Sequence, residues 1–260
     1  MPTRFASSLL LLATVTLASC ATQPASDGGY QRFMQLASDL QKRGDSNSAA
    51  ALYEKATQQP EAQIEAWLKL GETRLASGDA RGAERAYQQA LELKTDSADA
   101  LLGLGTAQLR QGKLERAVSA LTQAAALSGQ ADAFNRLGIA QILLGHADAA
   151  QTAFGKSLAL APNDLDTRCN LALAYALGDQ SQLALDNIRA VSESPRAQPR
   201  HQRNELLITV LAGREKDVQS MRLEDIPASE RKKLVTEARR IKAIKDPIVQ
   251  ARELGLVDTH

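Results

Sequence analysis

The sequence predicts an all-α fold, a solenoid of about five to six helical hairpins that ends in a capping helix. Its clearest unit runs from Ile64 to Ser97, where two apolar stripes at helical spacing are separated by the turn residues Gly78 and Asp79. One hairpin of about 34 residues cannot bury its own apolar face, so it needs copies of itself beside it. The residues that define the unit are Trp67, Leu70, Gly71, Gly78, Ala83, Tyr87 and Ala90.

The same residue types recur along the chain at nearly the same spacing. Further copies begin at Tyr30, Ala98, Ala131 and Leu165. A sixth copy, from about residue 199, is degenerate. It keeps only Leu206, Gly213 and Val218 of the pattern.

Small residues at fixed places in each copy have a common physical explanation. Glycine or alanine after the leucine of the first helix, and alanine in the second helix, allow the two helices to approach closely. An aromatic side chain, Tyr87 or Phe154, then fills the space toward the next hairpin. Over residues 30–194 this period and pattern resemble the tetratricopeptide repeat (TPR) family, which implies a right-handed superhelix. A generic alanine-rich bundle would not keep this register over five hairpins.

Residues 1–19 have the features of a secretory signal peptide. Arg4 precedes an apolar run from Ser8 to Leu17 that is short for a bilayer span. The run ends in Leu-Ala-Ser-Cys, which resembles the bacterial lipobox and implies that Cys20 is lipidated and becomes the mature N-terminus. The alternatives are an ordinary signal peptide followed by a chance cysteine, or a short membrane anchor.

Residues 20–29 are rich in glycine and small polar residues and are predicted to be a lipidated flexible tether. By resemblance to proteobacterial lipoproteins, Ala21 after the cysteine implies anchoring in the outer membrane, with the folded part in the periplasm. If Cys20 carries lipid, Cys169 has no cysteine left to pair with. It is then a small, half-buried filler or, alternatively, a reactive or intermolecular thiol.

Residues 195–260 depart from the repeat and are predicted to form the degenerate sixth hairpin and C-terminal capping helices. Ser229 can cap a final helix that runs to about Lys245, with Glu230 near its positive end. Seven basic side chains stand against two acidic ones in this helix. They indicate either a solvated capping face or a contact with an acidic partner or anionic lipid.

No motif in the sequence indicates catalysis or a cofactor. His146, His201 and His260 are not spaced as metal ligands, and no glycine-rich phosphate loop, HExxH or GxSxG occurs. The net charge of +1 argues against a basic nucleic-acid-binding protein. The sequence therefore predicts a protein that is not an enzyme and that has no cofactor, no metal, no nucleic-acid partner and no small-molecule substrate.

The TPR resemblance implies a concave groove lined by the first helices, where a partner protein contacts recurring positions of each copy. The floor is expected to be mostly apolar, with three polar groups, Glu72, Thr106 and Asn135. Alternatively, some of these residues pack against adjacent hairpins or the C-terminal helix. The predicted groove residues are Met34, Leu68, Glu72, Leu75, Leu102, Thr106, Leu109, Asn135, Ile139, Ile142 and Leu173.

A carboxylate stands second in each of four copies, at Glu65, Asp99, Asp132 and Asp166. This column indicates either acids placed at the positive ends of helices or a rim that selects a basic segment. The Lys/Asn clamp with which chaperone-binding TPR domains hold a terminal carboxylate is absent at these places. That absence favours an amphipathic helix or an extended apolar segment as the ligand.

The segment after the repeats resembles the small TPR lipoproteins of Flp (tight-adherence, Tad) pilus-assembly loci, of the TadD type. This resemblance implies an outer-membrane, pilotin-like assembly factor whose groove binds a secretin subunit of the pilus secretion system. The alternative is a general periplasmic scaffold for cell-envelope or outer-membrane protein assembly. Glu205 departs from the pattern, where an apolar residue is usual. The residues that carry the resemblance are Ser194, Pro195, Pro199, Arg200, Asn204, Leu206, Ala212, Gly213 and Arg214.

Overall fold

The computed structural model describes residues 28–221, 223 and 226–254. All regular elements within these residues are helices, so the predicted all-α fold is confirmed. The predicted signal peptide, the lipid attachment at Cys20 and most of the predicted tether lie outside the described residues. Along the described part of the chain, no helix combines the length and apolar character needed to cross a bilayer.

The described residues form a continuous succession of short helices. Their bounds are α1 Gly28–Lys42, α2 Ser46–Thr57, α3 Ile64–Ala76, α4 Ala80–Leu93, α5 Ala98–Arg110, α6 Leu114–Ser128, α7 Ala131–Leu143, α8 Ala147–Leu160, α9 Leu165–Leu177, α10 Ser181–Ser192, α11 Pro199–Leu211, a 3-10 helix Glu215–Ser220, α12 Ala228–Lys242 and α13 Pro247–Glu253.

The first ten helices pair as five hairpins, α1 with α2 through α9 with α10, and each hairpin packs on the next. Helices α3, α5, α7 and α9 each begin at the residue where a sequence copy begins. Helix α1 begins ahead of Tyr30, so Gly28 and Gly29 belong to the helix rather than to the tether. The chain is therefore a TPR-type solenoid, in which each hairpin is buried by its neighbours.

The turn inside each hairpin requires one residue with a left-handed backbone conformation. Glycine adopts it without steric cost, which explains why glycine recurs there. The fifth hairpin has Asp179 at this place, with φ 59°, the single non-glycine residue with positive φ in the described chain. The glycines at the corresponding turns are Gly44, Gly78, Gly112, Gly145 and Gly213, with φ between 71° and 83°.

Glycines inside the first helices allow close contact with the second helix. A β-carbon at Gly138 would lie 2.5 Å from Cε1 of Phe154, whose side chain is fully buried. A β-carbon at Gly105 would lie 2.5 Å from Cγ of Leu121. These distances are below van der Waals contact, so the large side chain of the second helix fills the volume that the missing side chain leaves.

The C-terminal region closes the array with a shortened hairpin and two further helices. The sixth hairpin has α11 as its first helix, but its second helix is reduced to the 3-10 helix, and α12 packs on α11 instead. Ser229 does not cap α12, because the helix begins at Ala228 and Pro227 precedes it. Helix α12 ends at Lys242, before Lys245, and α13, which was not predicted, follows it.

Candidate protein-binding groove

The first helices form one side of the array. Helix α3 contacts α5, α5 contacts α7, α7 contacts α9, and α9 contacts α11. Because the inside of a curved stack is the side on which neighbouring helices lie closest, the first helices line the concave face. This face is the predicted groove, and it has two halves of different character.

The N-terminal half, over α1, α3 and the start of α5, is open. The apolar residues predicted for its floor, Met34, Leu68, Leu75 and Leu102, are half-buried, and the carboxylate of Glu72 is exposed. A cleft of about 270 Å³ lies at the start of this half. Its lining consists of Gln31, Met34, Gln35, Ser38, Tyr53, Glu65 and Lys69.

A chain of hydrogen bonds fixes the polar groups of the open half. The Tyr53 hydroxyl donates to Oε1 of Gln41 at 2.9 Å, and Nε2 of Gln41 donates to Oε1 of Glu72 at 3.3 Å. The Lys69 ammonium donates to Oε2 of Glu72 at 2.9 Å. The predicted groove residues include Glu72 but not Tyr53, Gln41 or Lys69. Gln41 is the twelfth residue of the first copy, as Leu75 is of the second. Its place in the repeat could therefore have identified it as a groove residue.

The C-terminal half of the predicted groove is covered. The side chains of Leu109, Ile139, Ile142 and Leu173 are at most 7% exposed, and all four belong to one large apolar cluster. Ile241 and Ala251 of the C-terminal helices and the partly buried Leu254 join the same cluster. In this half, packing against adjacent hairpins and the C-terminal helices accounts for the predicted groove residues.

Three polar or sulfur-containing residues of the first helices are also used internally. The buried Thr106 hydroxyl donates to the carbonyl oxygen of Leu102 at 2.7 Å, so it is not directed to a ligand. Oδ1 of Asn135 accepts a hydrogen bond from Asn170 at 3.2 Å. Burial raises the pKa of the Cys169 thiol to about 12, which favours the filler over the reactive thiol.

The acidic column is neutralised towards the C-terminus of the array. Asp132 pairs with Arg136 at 3.1 Å. Asp166 accepts hydrogen bonds from Arg200 at 3.0 Å and from the buried His201 ring at 3.1 Å. Glu65 and Asp99 are exposed at the open half, so the part of the column available to a basic ligand lies there.

The basic helix α12 uses most of its charge to hold the cap together. Arg231 donates to the carbonyl oxygens of Ile226 and Leu223, and the Lys242 ammonium donates to the carbonyl oxygen of Val210. Arg239 pairs with Glu215, and Arg240 pairs with Glu237 and Glu253. These contacts support the solvated capping face and leave only part of the predicted positive charge for an acidic partner.

The described residues contain no group of three or more His, Cys, Asp or Glu side chains that could hold a metal ion. The ionisable groups of the open half lie on the surface of the first helices, and their contacts are those of a polar surface rather than of a nucleophile with its base. What this arrangement offers is an apolar strip bordered by fixed polar groups.

Two protein-family models match the array. The model of the cilia and flagella-associated protein 70 middle TPR-like domain matches residues 33–144, and a tetratricopeptide repeat model matches residues 131–164. No curated protein matches the chain.

Solved structures share the fold. The crystal structure of the MamA protein is 25% identical, with 66% of this chain and 98% of MamA covered at a TM-score of 0.57. PilF of Pseudomonas aeruginosa is 16% identical, with 88% and 98% covered at a TM-score of 0.61. A tetratricopeptide repeat protein of Parabacteroides merdae is 17% identical, with 88% and 98% covered at a TM-score of 0.65. The chain therefore has the TPR fold, a scaffold for protein interactions, and residues 33–164 match models of TPR repeats.

Proposed function

We propose that the chain holds a segment of another protein in the open N-terminal half of its concave face. The observation that carries this proposal is the difference between the two halves of one surface. Leu75 in α3 is half-buried, whereas Leu109 and Ile142, at the same register in α5 and α7, are at most 5% exposed. The open half therefore presents apolar area that a ligand can still bury.

The side chains of this half define the chemistry of the ligand. Apolar side chains from three successive first helices favour an amphipathic helix or an extended apolar segment, in agreement with the known use of such grooves. Glu65 and Asp99 at the edge favour a segment that carries a basic residue. Burial of the apolar strip contributes about 25 cal/mol per Å², less the cost of ordering the bound segment.

The cellular role that we propose is that of a lipid-anchored assembly factor. The lipobox-like sequence before Cys20 supports a tether at the outer membrane, with the groove in the periplasm. The resemblance of residues 194–214 to Flp (Tad) pilus lipoproteins supports a pilotin-like role, in which the bound protein is a secretin subunit. The similarity to PilF concerns the fold alone.

Fractionation tests the anchor separately from the groove. The wild-type chain is expected in the outer-membrane fraction, and Cys20→Ala is expected in the soluble periplasmic fraction, since its acyl chains are missing. A Cys20→Ala chain that still sediments with the outer membrane would disprove the lipid tether and leave the groove proposal intact.

Substitution of two half-buried positions of the floor tests the groove. Leu68→Glu combined with Leu102→Glu places charge on the half-buried strip. The matched control is Leu93→Glu combined with Leu127→Glu, at leucines that are 57% and 53% exposed on the second helices. A photocrosslinker at Met34 in intact cells is expected to trap the partner in the wild type and the control, with at least a tenfold loss in the groove variant.

The identity of the trapped protein decides between the two cellular roles. A secretin subunit supports pilus assembly, whereas a different envelope protein supports a general periplasmic scaffold. Equal trapping by the groove variant and by the control would refute binding at the open half, provided that both variants unfold at the wild-type temperature.

A further inference from the structure

Helix α13 lies against the turn of the fourth hairpin, between α7 and α8. A β-carbon at Gly145 would lie 3.1 Å from Cγ of Pro247 and 3.5 Å from Cγ1 of Ile248. Pro247 also closes a small apolar cavity lined by Ile142 and Leu177. The N-terminal end of α13 therefore packs on α7 and the neighbouring turn, a surface that we call the α13 seat.

The rest of α13 supplies apolar side chains to the covered half of the groove. Ala251 is fully buried and, together with Leu254 immediately after the helix, joins the cluster that contains Leu109 and Ile142. Pro247, Ala251 and Leu254 are spaced at i, i+4 and i+7, the spacing with which an amphipathic helix contacts a groove. Helix α13 thus shows which ligand chemistry this surface accepts.

Few contacts hold α13 in place. Its main helix contacts are with α7 and the end of α12, and Val249 is 43% exposed. Its polar ties are a hydrogen bond of 3.1 Å from Gln250 Nε2 to the carbonyl oxygen of Ile241 and an exposed ion pair between Glu253 and Arg240. Exposed ion pairs contribute little to stability, and so short a helix is not stable without its seat.

The connection to α12 allows α13 to leave without disturbing the array. Residues 243–246 have no regular helical structure, and Asp246 caps α13 by accepting hydrogen bonds from the backbone N–H groups of Ile248 and Val249. The contacts within and between the five hairpins do not include α13, which packs on them through α7 and through Ala251 and Leu254. Release of α13 would therefore expose the surface of α7 around Ile142 and Gly145 while the hairpins remain folded.

We propose that the seat of α13 is a second part of the binding groove, and that α13 occupies it until a partner helix replaces it. The occupant is a short amphipathic helix with apolar residues at i, i+4 and i+7, of which the α13 sequence is the internal example. This inference rests on the proposed function, because it extends the open half of the groove to its covered half.

A labelled peptide with the sequence of residues 246–254 tests the proposal on the full chain. In Ala251→Glu, charge at the fully buried position displaces α13 and leaves the seat free. Val249→Glu is the matched control, since Val249 is exposed on the same helix. Fluorescence anisotropy is expected to show at least tenfold tighter peptide binding by Ala251→Glu than by the wild type or Val249→Glu.

Two further measurements make the outcome decisive. Hydrogen exchange of residues 247–254 is expected to be faster in Ala251→Glu, and thermal unfolding is expected to show that the hairpins remain folded. The proposal would be overturned if all three chains bound the peptide equally. It would also be overturned if Ala251→Glu bound no peptide although hydrogen exchange showed that its α13 was released. The peptide experiment does not involve the partner protein. Partner trapping at Met34 can therefore succeed while the peptide experiment fails, or fail while the peptide experiment succeeds.

Discussion

The ring of Tyr87 lies directly against the backbone of Gly103 in the next hairpin. A β-carbon at Gly103 would lie 2.2 Å from Cζ of Tyr87, and one at Gly71 would lie 2.7 Å from the same atom. Tyr87 is 5% exposed and so connects its own hairpin with the next through two glycines. The structure thereby shows how the aromatic of one copy fills space that belongs to its neighbour, as the repeat pattern predicted.

Gly103→Ala is expected to destabilise the array, because the new methyl group overlaps the Tyr87 ring and one of the two helices must shift. The free energy of unfolding, measured by urea denaturation, is expected to fall by about 1–3 kcal/mol. Gly155→Ala is the control, since Gly155 lies inside α8 and no atom of the described residues lies within 4 Å of the new β-carbon. There the substitution is expected to stabilise by about 0.5–1 kcal/mol, and a loss at both positions would contradict the packing argument.

Asp179→Gly is expected to stabilise the chain. Asp179 has the left-handed conformation that glycine has at the corresponding turns, and its side chain makes that conformation costly. The expected gain in the free energy of unfolding is about 0.5–1 kcal/mol. Gly112→Ala, at a turn with φ 71° and open space around the glycine, should have the opposite effect of similar size. A destabilised Asp179→Gly would show that the aspartate stabilises this turn.

Asp166 is expected to make the junction between α9 and α11 sensitive to acid. Burial raises its pKa, but hydrogen bonds from His201 and Arg200 outweigh that effect and hold the pKa below its usual value. Because the folded pKa is the lower one, the contribution of Asp166 is present above its unfolded pKa. It is lost as the pH falls through the folded pKa, below about pH 4.

Asp166→Ala is expected to lower the free energy of unfolding by about 1 kcal/mol at pH 7, because the buried His201 loses its acceptor. The difference from wild type should become smaller at about pH 3. Asp132→Ala is the control, since Asp132 is exposed and pairs with Arg136 four residues later in the same helix. Its effect is expected to stay within about 0.5 kcal/mol. A loss at Asp166 that does not depend on pH would exclude the charged hydrogen bonds as its cause.

Cys169 is expected to react slowly with alkylating reagents in the folded chain. Burial keeps the thiol protonated, and the thiolate is the reactive form. In the Cys20→Ala chain Cys169 is the single thiol, so mass spectrometry can follow iodoacetamide labelling at pH 8 directly. The rate in buffer is expected to be at least about 100-fold lower than in urea. Comparable rates would mean that the α9–α11 junction opens readily.

The C-terminal helices show how far local signals reach. Asp246 followed by Pro247 is a helix-start signature, and the apolar residues after it have helical spacing, so α13 could have been predicted as an element. Its position against Gly145 and Ile142 could not, because no local rule states which surface a short apolar helix will cover. Ser229 has the right residue type for a helix cap, but it is the second residue of α12 and does not cap it.

The sequence by itself determined the helices, their pairing into hairpins, and the small residues at which the hairpins meet. These features depend on periodicity and turn chemistry, which operate within one copy and are repeated in the next. The tertiary structure alone decided which residues of the concave face remain available. Leu75 and Ile142 have the same place in the repeat, yet only Leu75 is open, because contacts from a segment about 100 residues further along the chain cover Ile142. Burial at that distance depends on how the whole solenoid closes, and no single repeat contains that information.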